Sequence, residues 1–190
     1  MATTQPARLY FTGDDEADEL LAREPLALLV GFVLDQQVPL QAAFSGPKKL
    51  RERLGRLDAA EIAGMDPGRL EEAFREKPAI HRFPGTMARR TQELCAAIVS
   101  EYGGDAARVW TEAVDGADLR RRLLDLPGIG EMKAKTLVAV LAKRFGVKPP
   151  GWEEVAPAHM SLGDVDSAAK LGEYQAAKRA HKASLPRASA

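Results

Sequence analysis

The most specific chemical signal in the chain is the string Leu126-Pro127-Gly128-Ile129-Gly130-Glu131-Met132-Lys133-Ala134, set between two stretches of helical pattern. Two glycines in a tight turn let backbone approach an anion with no Cβ in the way. The helix that follows offers unpaired N–H groups and the positive end of its dipole. Ile129 between the glycines is suited to plug into a core and fix the turn. Met132 lies in the first turn beyond it, and Lys133 and Lys135 add positive charge beside the same point. That combination suits a phosphate held through the backbone. A plain helix–turn–helix break with no ligand is the alternative.

Acid–base chemistry needs carboxylates in unusual surroundings. Asp35 ends the apolar run Leu26–Leu34 and is followed by Gln36 and Gln37. There it is either partly desolvated, with a raised pKa, or a helix-end residue facing water or an arginine. Glu153 and Glu154, after Pro149-Pro150-Gly151-Trp152, are further candidate acids, and both also suit a helix start through the dipole. Asp164 and Asp166 lie downstream, with Asp166 read as the N-cap of the last helix. His81, Phe83 and Trp152 are candidates to line a pocket by stacking and hydrogen bonding, though each equally suits a loop or core. Trp110 and Cys95 read as core. Arg120, Arg121 and Arg122 either extend a phosphate track or form a solvated face.

Helices must position these groups. Apolar residues recur at three- and four-residue spacing, and alternating β-branched runs are nearly absent. The pattern predicts a buried helix over Leu26–Gln37 opened by Pro25, then Gln41–Leu54. Short helices follow at Ala59–Ala63 and Gly68–Phe74, then a long one from Phe83-Pro84-Gly85 to Tyr102. Helices at Leu119–Leu126, Gly130–Phe145 and Ser167–Lys182 complete the reading, with residues 184–190 as a frayed tail. The fold class expected is all-α, a single domain over residues 1–183 built as two small lobes beside a cleft.

Composition narrows the setting. The 190 residues carry 27 basic and 27 acidic side chains, so any polyanion contact must come from a local basic face. A single cysteine excludes an intramolecular disulfide and a four-cysteine iron–sulfur cluster. The three histidines are too scattered for a metal site. No cofactor is expected. The apolar run Leu26–Leu34 is too short to span a bilayer, and no signal pattern opens the chain. A cytoplasmic, nucleoid-associated monomer without a membrane partner is the expectation.

The chain resembles the helix-hairpin-helix (HhH-GPD) base-excision glycosylases from about Leu20 to Glu154, and is most similar to a small actinobacterial-type branch. Asp125-Leu126-Pro127-Gly128-Ile129-Gly130 matches their hairpin. Val33-Leu34-Asp35-Gln36-Gln37 resembles their helix end whose glutamine reaches into DNA, and Phe83-Pro84-Gly85-Thr86-Met87-Ala88 the start of their middle helix.

The resemblance implies excision of a damaged base from duplex DNA. In bifunctional members a lysine sits two residues after the last hairpin glycine; here that residue is Met132, and Lys133 is rotated about 100° around the helix. Lys133 is therefore expected on a phosphate, and the activity monofunctional. The family's aspartate, expected after the hairpin helix, has no match in Pro149–Val155. That leaves Asp35, Glu153 or Glu154 as the acid. It also leaves two rival readings: a DNA-structure binder without catalysis, and a protein-interaction domain without a DNA role. The basic residues Lys170, Lys178, Arg179, His181 and Lys182 either lie on DNA or face solvent.

Overall fold

The structure, a computed structural model, describes residues 5–184, and the side chains up to residue 180. The side chains of His181 and Lys182, and the tail residues 185–190, lie outside the described residues. Every regular element among the described residues is a helix.

The first six helices are α1 (Asp15–Arg23), α2 (Pro25–Leu34), α3 (Leu40–Leu54), α4 (Ala59–Ala63), α5 (Pro67–Arg75) and α6 (Pro84–Tyr102). Then come α7 (Arg108–Thr111), α8 (Gly116–Leu124), α9 (Glu131–Arg144), α10 (Trp152–Val155) and α11 (Ala168–Ser184), with a 3-10 turn at Leu162–Asp164 before the last. The all-α expectation holds. Ser184, expected in the tail, belongs to α11.

Helix α2 is the axis of the molecule. Pro25 supplies its first turn, where a missing N–H costs nothing. Every residue from Leu26 to Leu34 is buried. Gly31 lets α3 approach, since a Cβ there would lie 2.6 Å from the Phe44 ring. The Phe44 ring in turn meets Phe11 and Phe32 edge-on. The helix ends at Leu34, three residues before the expected Gln37. Asp35 caps it by donating its N–H to Gly31 O and then leaves helical geometry (φ −72°, ψ 70°). Asp35, Gln36 and Gln37 therefore form a loop.

Helices α1 to α6 pack around α2 and α6, and α7 to α10 pack around α8 and α9. The buried apolar residues of both groups form one continuous core. Helix α1 escaped the sequence pattern because it is mostly polar; Asp14 caps it, and buried Asp18 accepts from the N–H groups of Phe11 and Thr12. Helix α6 ends at Gly103, where a left-handed residue (φ 63°) is required. No helix among the described residues is long and apolar enough to cross a membrane.

Candidate functional site

The turn between α8 and α9 is built as its sequence implies. Gly128 has φ 84°, and a Cβ there would press on the Val33 side chain at 3.2 Å. Ile129 is buried. Gly130 differs from Gly128: its backbone is extended (φ −89°) and a Cβ would meet open space. No side chain caps α9, so its first N–H groups lie open beside Gly130.

The charges around the hairpin are arranged less simply. Glu131, the first residue of α9, accepts from Arg120 Nε at 3.1 Å and pairs with Lys135 at 3.5 Å. Arg121 pairs with Asp118 and Asp125, and Arg122 with Asp118. All three arginines before the hairpin are thus already engaged by carboxylates. Met132 stands 69% exposed beside the turn.

Lys133 is not on the outer face. Its ammonium turns back across the hairpin, donating to Gly128 O at 3.2 Å and Val33 O at 3.4 Å. The expected phosphate contact would need this ammonium to leave or share these two carbonyls. Burial lowers its pKa to about 8; Asp35 opposes that shift and Arg90 adds to it. Burial raises Asp35, against the pull of Lys178 and Lys133. Both residues are half-buried where the end of α2 meets the hairpin, with the Lys133 ammonium on the Val33 carbonyl two residues before Asp35.

The loop after Asp35 is held from α6. Gln36 donates to Val33 O at 3.2 Å, and its side-chain oxygen accepts from Arg90. His81, expected on a pocket wall, is 3% exposed and has both ring nitrogens in use. Nδ1 accepts from Phe83 N–H at 3.0 Å, so the proton sits on Nε2, which donates to Gln36 O at 3.0 Å. Burial lowers its pKa and keeps it neutral. His81 thus anchors the glutamine loop. Gln37 stands exposed with φ 54°, an uncommon conformation for a residue with a Cβ. Phe83 is 40% exposed with the Arg82 guanidinium over its ring.

Glu153, Glu154 and Trp152 are elsewhere. They form α10, which packs where α8 begins: Gly116 N–H donates to Pro150 O at 2.8 Å. The hairpin lies at the other end of α8, nine residues or about 13 Å away. Both glutamates are exposed, and Trp152 carries Lys148 near its ring at 5.9 Å. The candidate acids Glu153 and Glu154 and the candidate pocket residue Trp152 therefore lie apart from the hairpin. Asp166 does not cap α11; Ser167 Oγ does, accepting from Lys170 N–H. Asp164 caps the 3-10 turn and pairs with Lys143. Cys95 is buried and its thiol is pushed up to about 12, outside any nucleophilic range.

Sequence reasoning missed Arg90. Arg90 is one of several arginines on a long helix, and its reach to Gln36 is tertiary.

The described residues thus form an all-helical domain with an uncapped glycine hairpin, and Asp35 and Lys133 lie half-buried near it. The chain belongs to the HhH-GPD superfamily of base excision DNA repair proteins, whose family profile matches residues 30–184. Three solved structures are similar to it. One is endonuclease III trapped as a covalent intermediate with DNA in an estranged-adenine complex (22% identity, TM-score 0.45, 70% of this chain and 65% of that one). Another is endonuclease III in a non-covalent complex with DNA (22% identity, TM-score 0.48, 82% of this chain and 72% of that one). The third is 3-methyladenine DNA glycosylase (MagIII) of H. pylori bound to 1,N6-ethenoadenine (18% identity, TM-score 0.48, 86% of this chain and 94% of that one). The chain spans just under two thirds of the first of these proteins. No curated protein matches the sequence.

Proposed function

We propose that the protein is a DNA glycosylase that removes a damaged or modified base from duplex DNA, with Asp35 as the working carboxylate. The observation that carries this reading is the placement of Asp35 beside Lys133 at the base of the hairpin, within a family of base excision repair proteins. Gly130 and the open N–H groups of α9 take a phosphate through the backbone. Gln37, exposed on a loop clamped by His81 and Arg90, fills the gap left by the extruded nucleotide. As the glycosidic bond lengthens, positive charge grows on the sugar. The Asp35 carboxylate stabilises it and takes a proton from the attacking water. Lys133 helps keep Asp35 ionised despite burial.

A second reading has lyase activity as well, and the position of Lys133 favours it. A lysine with a pKa of about 8 is partly neutral at physiological pH. Its neutral Nζ can attack C1′ as the C1′–base bond breaks; the nitrogen then loses a proton and the C1′–O4′ bond opens, O4′ taking a proton, to leave an imine to the ring-opened sugar.

The test is a single-turnover screen of duplexes carrying uracil, hypoxanthine, 3-methyladenine, oxoguanine and oxidised pyrimidines. Base release with strand breaks only after alkali supports hydrolysis. Strand breaks before alkali, with a borohydride-trapped adduct lost in Lys133→Met, support the lyase. Salt-dependent binding with no release from any duplex leaves a DNA-structure binder; no binding at low salt leaves a protein-interaction domain.

A further inference from the structure

The loop between α2 and α3 is organised around Gln36. Asp35 forms the centre of an inverse γ-turn (φ −72°, ψ 70°), closed by Gln36 N–H donating to Leu34 O at 2.7 Å. The Gln36 carbonyl accepts from His81 Nε2 at 3.0 Å. Its side-chain oxygen accepts from the Arg90 guanidinium of α6, and its side-chain amide donates to Val33 O at 3.2 Å. The backbone N–H and C=O and the side-chain oxygen and amide of Gln36 are therefore all engaged. The Val33 carbonyl also accepts from Lys133 of α9 at 3.4 Å, and Lys133 donates to Gly128 O at 3.2 Å. A chain of hydrogen bonds thus runs from α6 through Gln36 to the hairpin. Gln37, the next residue, is exposed with φ 54°, a backbone that persists only where its surroundings over-determine it.

We infer that Gln36 is a positioning residue and not a glutamine that enters DNA, and that Arg90 acts through it: together they fix the turn that aims Asp35 and the backbone that presents Gln37. Moving the Gln36 side chain into a duplex would break its charge-assisted bond with Arg90. Holding the loop in place before DNA arrives removes the cost of ordering it on binding. The inference rests on the proposed reaction for its purpose, but not for its geometry.

The experiment is backbone ¹⁵N relaxation of the full-length protein without DNA, read at the Gln37 amide. Wild type gives an order parameter of about 0.85, and Gln36→Leu and Arg90→Met each drop it below about 0.6. Arg90→Lys, which keeps a charged donor, stays near wild type. If Arg90 served overall stability alone, Arg90→Met would melt earlier and leave Gln37 rigid. Gln37 as rigid as wild type in either Gln36→Leu or Arg90→Met overturns the inference; should one of them fail to fold, the other decides. Where wild type releases a base, each variant loses about 10- to 100-fold of the single-turnover rate, and the double variant loses no more than either. Full release by Arg90→Met with loss in Gln36→Leu makes Gln36 the residue that enters the duplex, and also overturns the inference. Because relaxation needs no DNA, a mobile Gln37 in the variants of a protein that releases no base leaves the inference standing and sinks the proposed activity.

Discussion

The ammonium of Lys133 lies 3.4 Å from the carbonyl of Val33, the second-last residue of α2. This contact ties the hairpin to the central helix and places a lysine where Asp35 leaves that helix. Five expectations follow from the arrangement around it.

The two hairpin glycines should fail differently. Gly128→Ala puts a Cβ at φ 84° and against Val33, so it destabilises the fold, by about 1–2 kcal/mol for the left-handed backbone alone. Gly130→Ala meets open space at an ordinary φ and should leave the melting temperature unchanged while weakening duplex binding. Equal binding by Gly130→Ala and wild type would remove the phosphate from this position.

Glu131 places a negative charge in the turn that is to hold a phosphate, partly masked by Arg120 and Lys135. Glu131→Gln frees both cations for DNA. Duplex affinity should rise several-fold at low salt, with a steeper salt dependence. Titrations at two or more salt concentrations check this, and a fall in affinity would contradict it.

These two cases also mark what the sequence could and could not reveal. The hairpin was legible because a turn, two glycines and a helix start are contiguous, as were the proline-opened starts of α2 and α6. Asp35 was legible because a carboxylate ends an otherwise apolar run. The inward turn of Lys133 was not, because its acceptors are the backbone of Val33 and Gly128, on separate elements. The separation of Glu153 and Glu154 from the hairpin was not legible, because the folding of α10 back to the far end of α8 is a tertiary relationship. The anchoring of His81 was not legible because its partner is a backbone carbonyl forty-five residues away.

Gln37 holds a left-handed backbone that favours glycine. Gln37→Gly should stabilise the protein by about 1 kcal/mol in denaturant unfolding, through relief of that strain. If Gln37 enters the duplex, the same change slows base release. Relief of strain with undiminished release would show that the conformation serves only the loop.

Stability should depend on pH through Lys133. Its folded pKa, about 8, is below its ordinary 10.5, so between these values the unfolded chain binds more protons. Stability contributed by this site therefore rises as pH goes from about 8 to 10.5; at lower pH the charged lysine carries its full burial cost, roughly 3 kcal/mol at most. Asp35, raised in the fold, acts in the opposite direction: its site loses stability as pH rises from 3.8 through its folded value. Urea unfolding of wild type and Lys133→Met across pH 7 to 10.5 reads the lysine effect. A difference between them that does not change with pH would contradict the assigned burial.

The central claim is that Asp35 acts on DNA held by the hairpin, and Asp35→Asn tests it most directly. The substitution keeps size and removes charge. Single-turnover base release over the full set of modified duplexes, with duplex affinity measured on the same preparations, separates chemistry from binding. The account predicts that wild type releases at least one base and that Asp35→Asn loses about 100-fold or more of that rate, while affinity stays within a few-fold of wild type. Release at the wild-type rate by Asp35→Asn would contradict it and move the chemistry to another group.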